Sequence, residues 1–372
     1  MTKYRTWLEI DNSAIRSNAK AVTANLPEKT IFLAMVKGNA WGIGSVGFAR
    51  ALIEAGATWI GATIIEDAIE LRKAFPKIPI LLLMELTADA IQEALDNDIR
   101  LILCNYEYAD EVSRQAVEKG KTVKVHFKIN TGLNRIGVNA DEALPFIKYV
   151  ANLPGLELEG ICTHFACADM PDNPRTKQQL GSFLAVVEEA SAAGVQFKYR
   201  HIANSPASIN NPETYLDMVR PGMGLAGLYP SNAFRELVTL KCPITWKTTI
   251  SLIRSVKANH PISYGDSRTF PIDSTIVIIP TGTADGFGKR FEGTGYVLIR
   301  GERHQVVGVT MDQTMIVLGA DYPDLKIGEE VVLIGKQGEL EQDPAVIQNQ
   351  TGYQTEELCC QISYRVPRIY LN

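Results

Sequence analysis

A lysine closes an apolar run early in the chain. Ile31-Phe-Leu-Ala-Met-Val precedes Lys37, and Gly38-Asn-Ala-Trp41-Gly-Ile-Gly44 follows at once. Such a run, bounded by glycine and asparagine, reads as a strand buried on both faces. A lysine at its end sits at the C-terminal rim of a parallel sheet, where α/β folds place their chemistry. Partial desolvation there lowers the pKa of the amine and frees it for Schiff-base formation. A lone strand-end lysine is more often a solvated cap, so the other polar clusters have to decide.

Those clusters recur at further strand ends: Lys128-Ile-Asn-Thr-Gly-Leu-Asn-Arg135, Cys162-Thr-His164, His201-Ile-Ala-Asn204-Ser205 and Arg220-Pro-Gly222-Met223. Farther along come Ser263-Tyr264-Gly265, Gly282-Thr283-Ala-Asp285-Gly286, Met311-Asp312-Gln313 and Ser363-Tyr364-Arg365. Taken singly, each has a bland meaning. Tyr264 and Tyr364 read as ordinary aromatics, and His164 and His201 as satisfied core histidines. Arg135 and Arg220 read as surface ion pairs, worth ~0–1 kcal/mol. Asp285 and Asp312 read equally well as turn residues.

The elements that must position these groups alternate. The Lys37 strand is followed by a helix over about 46–54, then by strands at Trp59, Ile80, Leu101, Val123, Leu158, Tyr199 and Met218, with helical patterns between them. One of these is a long helix over about 177–193. Eight strands alternating with helices over some two hundred residues have the rhythm of a (β/α)8 barrel. Beyond about Arg235 the apolar runs become short and β-branched, which predicts a separate, mostly β domain. The expected architecture is a TIM barrel over 12–237 followed by a β domain over 238–372, with the strand in 1–11 joining the second.

Composition excludes several classes. The chain has 372 residues, a net charge of −5 and 46% apolar residues. That argues against nucleic acid or an anionic membrane as partner. No stretch approaches transmembrane length and the start lacks a signal-peptide apolar segment, so a cytoplasmic protein is expected. The six cysteines show no metal or disulfide spacing, and the five histidines form no H-x-x-x-H pattern, so no metal is expected. Gly42-Ile-Gly44-Ser-Val-Gly47 matches a dinucleotide fingerprint, with Glu66 near the end of the next strand. Its first glycine lies too far beyond the strand, and a closed barrel is the wrong sheet for it.

Taken together and in order, the clusters resemble the fold-type III alanine racemases, which use pyridoxal phosphate. The resemblance covers nearly the whole chain. It implies that Lys37 forms the Schiff base with the cofactor and is one acid/base, with Tyr264 as the second. It implies a homodimer whose active site is shared, with Tyr264 and Met311 supplied by the partner. Arg135 then lies near the substrate carboxylate, and Lys128 matches a position often carbamylated to hold that arginine. Asn204, Ser205, Gly222, Met223 and Tyr364 match the cofactor cradle, and His164 matches the residue that bonds Arg220. Arg220 would face the pyridine nitrogen, with His201 behind it. Two bases on opposite faces are the direct solution to racemisation. A guanidinium cannot give up its proton, so the ring nitrogen opposite it stays unprotonated.

The chain departs from the family in the aromatics. Trp41 replaces the usual tyrosine at the phosphate, where its indole N–H is the available donor. Thr283 replaces a tyrosine that narrows the substrate channel, Ala226 replaces another tyrosine, and Thr310 stands where a cysteine is common. Alanine racemisation is the leading expectation. Racemisation of another amino acid such as serine, a decarboxylase of the same plan, or a non-catalytic pyridoxal phosphate carrier remain alternatives.

Overall fold

The computed structural model describes residues 4–266, 268–320, 322 and 324–372; residues 1–3 of the segment expected to join the β domain lie outside these. The chain divides into two compact units. One comprises Ile15–Asn39 and Ser45–Lys241; the other comprises Met1–Ala14, Ala40–Gly44 and Cys242–Asn372.

The first strand of the chain is β1 (Thr6–Asp11). It belongs to the second unit. The first unit is built on β2 (Ile31–Met35), β3 (Trp59–Ala62), β4 (Ile80–Leu82), β5 (Arg100–Leu103), β6 (Val123–Asn130), a short β7 (Val138–Asn139), β8 (Leu156–Cys162), β9 (Tyr199–His201) and β10 (Met218–Val219). Their order is β10-β2-β3-β4-β5-β6-β8-β9, all pairs parallel, with β7 beside β6. The two ends of that series are joined as well. Asp217 N–H donates to Arg200 O at 3.1 Å and Arg220 N–H to Ala203 O at 2.9 Å. This is the expected (β/α)8 barrel.

Helix starts follow local chemistry. Asn105 caps the helix Tyr106–Glu118 by accepting from Tyr108 N–H at 2.8 Å. The long helix expected from residue 177 begins earlier, at Pro174, because Asn173 caps it and proline suits the first turn. The first helix spans Asn12–Val22. Arg220 lies just past the strand Met218–Val219, at the strand end where its cluster was expected.

Alternation along the strands decides what enters the barrel. Leu33 and Met35 form an interior cluster with Trp59, Leu81, Ile102, Cys104 and Met218. On β6 the same parity turns two polar side chains inward, His126 and Lys128. His126 is in register with Ile102 and Gly160, and Lys128 with Cys162, which is next to His201. The register shifts between Val125, opposite Leu158, and His126, opposite Gly160, so Glu159 is an extra residue in β8.

The second unit is a sheet ordered β12-β13-β16-β15-β14-β17-β11-β1-β19, with β18 beside β17. Its strands are β11 (Ile244–Thr249), β12 (Leu252–Val256), β13 (Ser274–Ile279), β14 (Tyr296–Ile299), β15 (Glu302–Val309), β16 (Thr314–Gly319), β17 (Glu330–Gln337), β18 (Leu340–Gln342) and β19 (Arg368–Leu371). β1 completes it, antiparallel to β11 and parallel to β19. Two helices, Pro344–Thr351 and Thr355–Cys360, interrupt its strands. Loop 40–44 is held by the last strand: Tyr370 hydroxyl donates to Ile43 O at 2.9 Å and Arg368 Nε to Gly42 O at 3.0 Å.

Candidate active site

Lys37 continues the inward parity of Leu33 and Met35, two residues beyond β2, and is exposed at the barrel rim. The chain then turns left-handed. Gly38, Asn39, Ala40 and Trp41 have φ of 61°, 50°, 53° and 53°. Glycine takes this conformation freely and Asn39, whose Oδ1 accepts from Ser45 N–H at 3.2 Å, tolerates it; for Ala40 and Trp41 it costs about 1–2 kcal/mol per residue. Trp41 is 5% exposed.

His164, two residues past β8, marks where the cations of the barrel converge. Burial first, then the positive charges of Lys128, Arg220, Arg135 and Lys37, push its imidazole pKa far down. It is therefore neutral and able to accept. Lys128 is 5% exposed. Burial, opposed by Cys162 and reinforced by Arg220, brings its amine down to about 8. Arg135 lies exposed in the loop after β6.

Arg220 is buried, at 4% exposure. Its Nη1 donates to Nδ1 of His201 at 2.8 Å, and its Nη2 to Thr163 O at 2.8 Å. Nδ1 of His164 and Ile202 O lie farther from Nη2, both at 3.4 Å. The closer imidazole is thus His201, the residue that the resemblance placed behind Arg220.

Ser205 is bonded to the loop after Arg220. Ser205 Oγ accepts from Gly222 N–H at 2.7 Å and from Gly224 N–H at 3.3 Å, and Met223 lies between them. Asn204 caps the helix Ser205–Asn210 by accepting from Ala207 N–H at 3.3 Å. With its lone pairs engaged by these amides, the buried hydroxyl has its own proton to donate, which suits an anion at this turn.

In the β unit the expected site residues are outward-facing. Tyr264 is 76% exposed, Met311 67% and Tyr364 93%. Thr283 and Ala284 N–H donate to Thr310 O and Met311 O at 3.0 and 2.9 Å, so these two loops are locked together. Asp285 is structural. It is fully buried, accepts from Gly282 N–H at 3.1 Å and pairs with Arg5 at 2.5 Å.

This residue set fits pyridoxal phosphate. Arg220 is a buried cation whose hydrogen-bond partners are all neutral, which suits a group bringing a lone pair or negative charge. The Ser205–Gly222 cluster suits a phosphate, and Lys37 is an accessible amine on the same barrel rim. Among the described residues, no group of three or more His, Cys, Asp and Glu side chains could hold a metal ion.

Sequence reasoning missed three residues behind Arg220: His126, Glu159 and Arg100. The period-2 pattern of β6 places His126 on the face of Lys128, a signal that was available. For Glu159 there was none, since its parity depends on the register shift in β8.

Comparison with known proteins agrees with this geometry. Residues 10–230 match the model of the alanine racemase N-terminal domain, and 243–370 that of the alanine racemase C-terminal domain. A curated relative, the alanine racemase of Symbiobacterium thermophilum, is 38% identical over 366 residues, covering 98% of this chain and 97% of its own. The crystal structure of alanine racemase from Streptomyces lavendulae superposes with a TM-score of 0.91 at 33% identity, over 100% of this chain and 98% of that one. A histidine racemase from Leuconostoc mesenteroides shares the fold, with a TM-score of 0.89 at 26% identity, over 100% and 99% of the two chains.

Proposed function

The chain belongs to the alanine racemase family of fold-type III pyridoxal phosphate enzymes, and on that basis we propose that it interconverts L- and D-alanine by a two-base mechanism. The observation that carries the reading is the buried guanidinium of Arg220, bonded only to neutral groups, His201 Nδ1 and Thr163 O both at 2.8 Å, on the barrel rim that also presents Lys37 and Ser205. Bound pyridoxal phosphate supplies the electron sink that acidifies the α-C–H of the amino acid.

The residues of the chain do the rest. Ser205, Gly222 and Met223 hold the phosphate, with Asn204 shaping that turn and Trp41 and Tyr364 contributing donors. Arg220 donates to the ring nitrogen and, as a permanent cation, leaves it unprotonated. Arg135 takes the substrate carboxylate. The Nζ of Lys37 removes or returns the α-proton on one face, and the Tyr264 hydroxyl serves the other. Racemisation needs both, because a proton taken and returned on one face restores the same isomer.

Tyr264 and Met311 would reach the site as residues of the partner subunit, in a homodimer; their exposure in the β unit supports this. A carbamate on Lys128 would be stabilised by Arg135 and Arg220 nearby, and an amine with a pKa of about 8 is reactive enough at neutral pH to form one. Among the described residues no helix is long and apolar enough to cross a membrane, which is compatible with a cytoplasmic enzyme.

A second reading concerns the substrate. Thr283 and Ala226 stand where the family carries tyrosines, and a protein of the same fold is a histidine racemase. Removal of bulk from the substrate channel favours an amino acid larger or more polar than alanine, such as serine.

Chiral chromatography decides. Purified protein with pyridoxal phosphate is offered each L-amino acid in turn, and the D-isomer is followed over time. D-alanine should dominate. Another dominant D-isomer would transfer the assignment to that amino acid. Cofactor binding with no D-isomer from any substrate would sink the racemase reading and favour a carrier or a decarboxylase.

A further inference from the structure

Arg220 heads a buried chain of hydrogen bonds with only one consistent arrangement of protons. Its guanidinium is always a donor. Nδ1 of His201, 2.8 Å from Nη1, must therefore offer its lone pair, and the proton of that neutral ring sits on Nε2. Nε2 of His201 lies 2.7 Å from Nδ1 of His126, which accepts. His126 then keeps its own proton on Nε2, 3.1 Å from Oε2 of Glu159. The same oxygen accepts from Nε of Arg100 at 2.7 Å. Burial lowers the pKa of both imidazoles and keeps them neutral; it is opposed at His126 by Glu159 and reinforced at His201 by the charge of Arg220. Burial alone would raise Glu159, but hydrogen bonds from His126 and Arg100 outweigh it and hold the carboxylate ionised. Reversing the chain would set a His201 N–H against an Arg220 N–H.

The fold makes specific provision for this chain. The register shift in β8 inserts Glu159 as an extra residue, and such a bulge re-aims a side chain. Glu159, 4% exposed, thereby meets His126 and Arg100 inside the barrel. Its neighbour is Gly160, where a β-carbon would fall 2.3 Å from Nδ1 of His126. Tyr199 stacks on His126, and Arg100 lies 4.6 Å over Trp59.

We propose that His126 and Glu159 are positioning residues: acting through His201, they fix the direction in which Arg220 presents its guanidinium to the cofactor ring nitrogen, and so keep that nitrogen unprotonated. The proposal rests on the reading that Arg220 faces that nitrogen. A guanidinium whose other acceptors are two backbone carbonyls and the more distant Nδ1 of His164 has several orientations open to it. The chain anchored at the Glu159–Arg100 pair selects one. A lapse has a chemical signature. A protonated ring is a stronger electron sink, so the substrate's electron pair and a proton pass to the cofactor. Water then releases a keto acid and leaves an equal amount of pyridoxamine phosphate.

The test has two arms, both on the full chain, with His126→Phe to break the chain and His126→Gln to restore an acceptor and a donor. The first arm is ¹⁵N-histidine NMR, with and without added pyridoxal phosphate, which reads the chain whatever the cofactor does. Wild type should show His201 and His126 protonated on Nε2 alone, unchanged between about pH 6 and 9; in His126→Phe the His201 Nε2–H loses its acceptor, so the ring is released to turn from Arg220 and should mix tautomers or titrate. The second arm counts turnovers per pyridoxamine phosphate formed. His126→Phe should lower that ratio about tenfold or more, and His126→Gln should recover most of it. Glu159→Gln should lower the ratio in the same direction, and it carries the test should His126→Phe fail to fold. An unchanged His201 tautomer, or a ratio per bound cofactor equal to wild type in these variants, overturns the proposal. Wild type that neither binds the cofactor nor racemises, while its NMR shows the fixed tautomers, overturns the functional reading instead.

Discussion

A β-carbon on Gly160 would lie 2.3 Å from Nδ1 and 2.6 Å from Cε1 of His126, so the imidazole occupies the space that any other residue at 160 would fill. Gly160→Ala should therefore displace His126 without removing any of the hydrogen-bonding side chains. We expect a loss of about 1–3 kcal/mol, typical of overpacking. Urea denaturation followed by tryptophan fluorescence checks it. Unchanged stability would mean the ring moves aside at no cost.

Lys128 gives stability a pH dependence of known sign. Its amine sits at about 8 in the folded chain against an ordinary value of 10.5. Between these values the unfolded chain binds more proton, so stability rises with pH from about 8 to 10.5. Below pH 8 both states are protonated, and the folded state bears the full penalty of a buried charge, on the order of 3 kcal/mol. Lys128→Met should flatten that part of the stability–pH curve. A carbamate would change the baseline, and ¹³C-bicarbonate NMR should then show a protein-bound carbonyl resonance that Lys128→Met lacks.

Lys37→Ala should abolish covalent capture of pyridoxal phosphate. Borohydride reduction of wild type should tag the peptide containing Lys37, and the variant should carry no tag. Racemisation should fall by at least about 10³-fold, since a nucleophile and a base are lost together. A tag on another lysine would move the assignment.

Tyr264→Phe should cost about 10²–10⁴-fold in racemisation, the usual range for loss of an acid/base group. The loss should be accompanied by retained cofactor binding. Mixing Lys37→Ala with Tyr264→Phe protein tests the shared site. If each site takes Lys37 from one subunit and Tyr264 from the other, hybrid dimers contain one intact site and activity returns. Activity that stays flat on mixing, with hybrids verified by mass, would place both residues in one chain's site.

Thr283→Tyr should narrow the substrate channel. Its kcat/KM for serine relative to alanine should fall by about 10-fold or more, within what a change in pocket shape can deliver. Equal losses for the two substrates would remove Thr283 from the list of specificity determinants.

Much of this was legible in the chain itself. The Lys37 strand, the eight-fold alternation and the change of rhythm near 235 follow from hydrophobic period, which is a local property. The candidate site residues at the barrel rim were legible because they lie at strand ends beside glycine turns, where side-chain type and place coincide. Alternation also fixed that His126 and Lys128 share a face. Tertiary structure decided the rest. Whether His201 or His164 lies closer to Arg220 depends on how β8 and β9 sit around the ring, at 2.8 and 3.4 Å respectively. Glu159 faces inward only because a register shift against β6 reverses its parity, and register is a relation between two strands rather than a feature of either. Loop 40–44 follows Lys37 in sequence, yet it is held by Arg368 and Tyr370 from the far end of the chain. Contacts across more than 300 residues come from folding alone, because no local pattern encodes which distant hydrogen-bond donor a backbone carbonyl will meet.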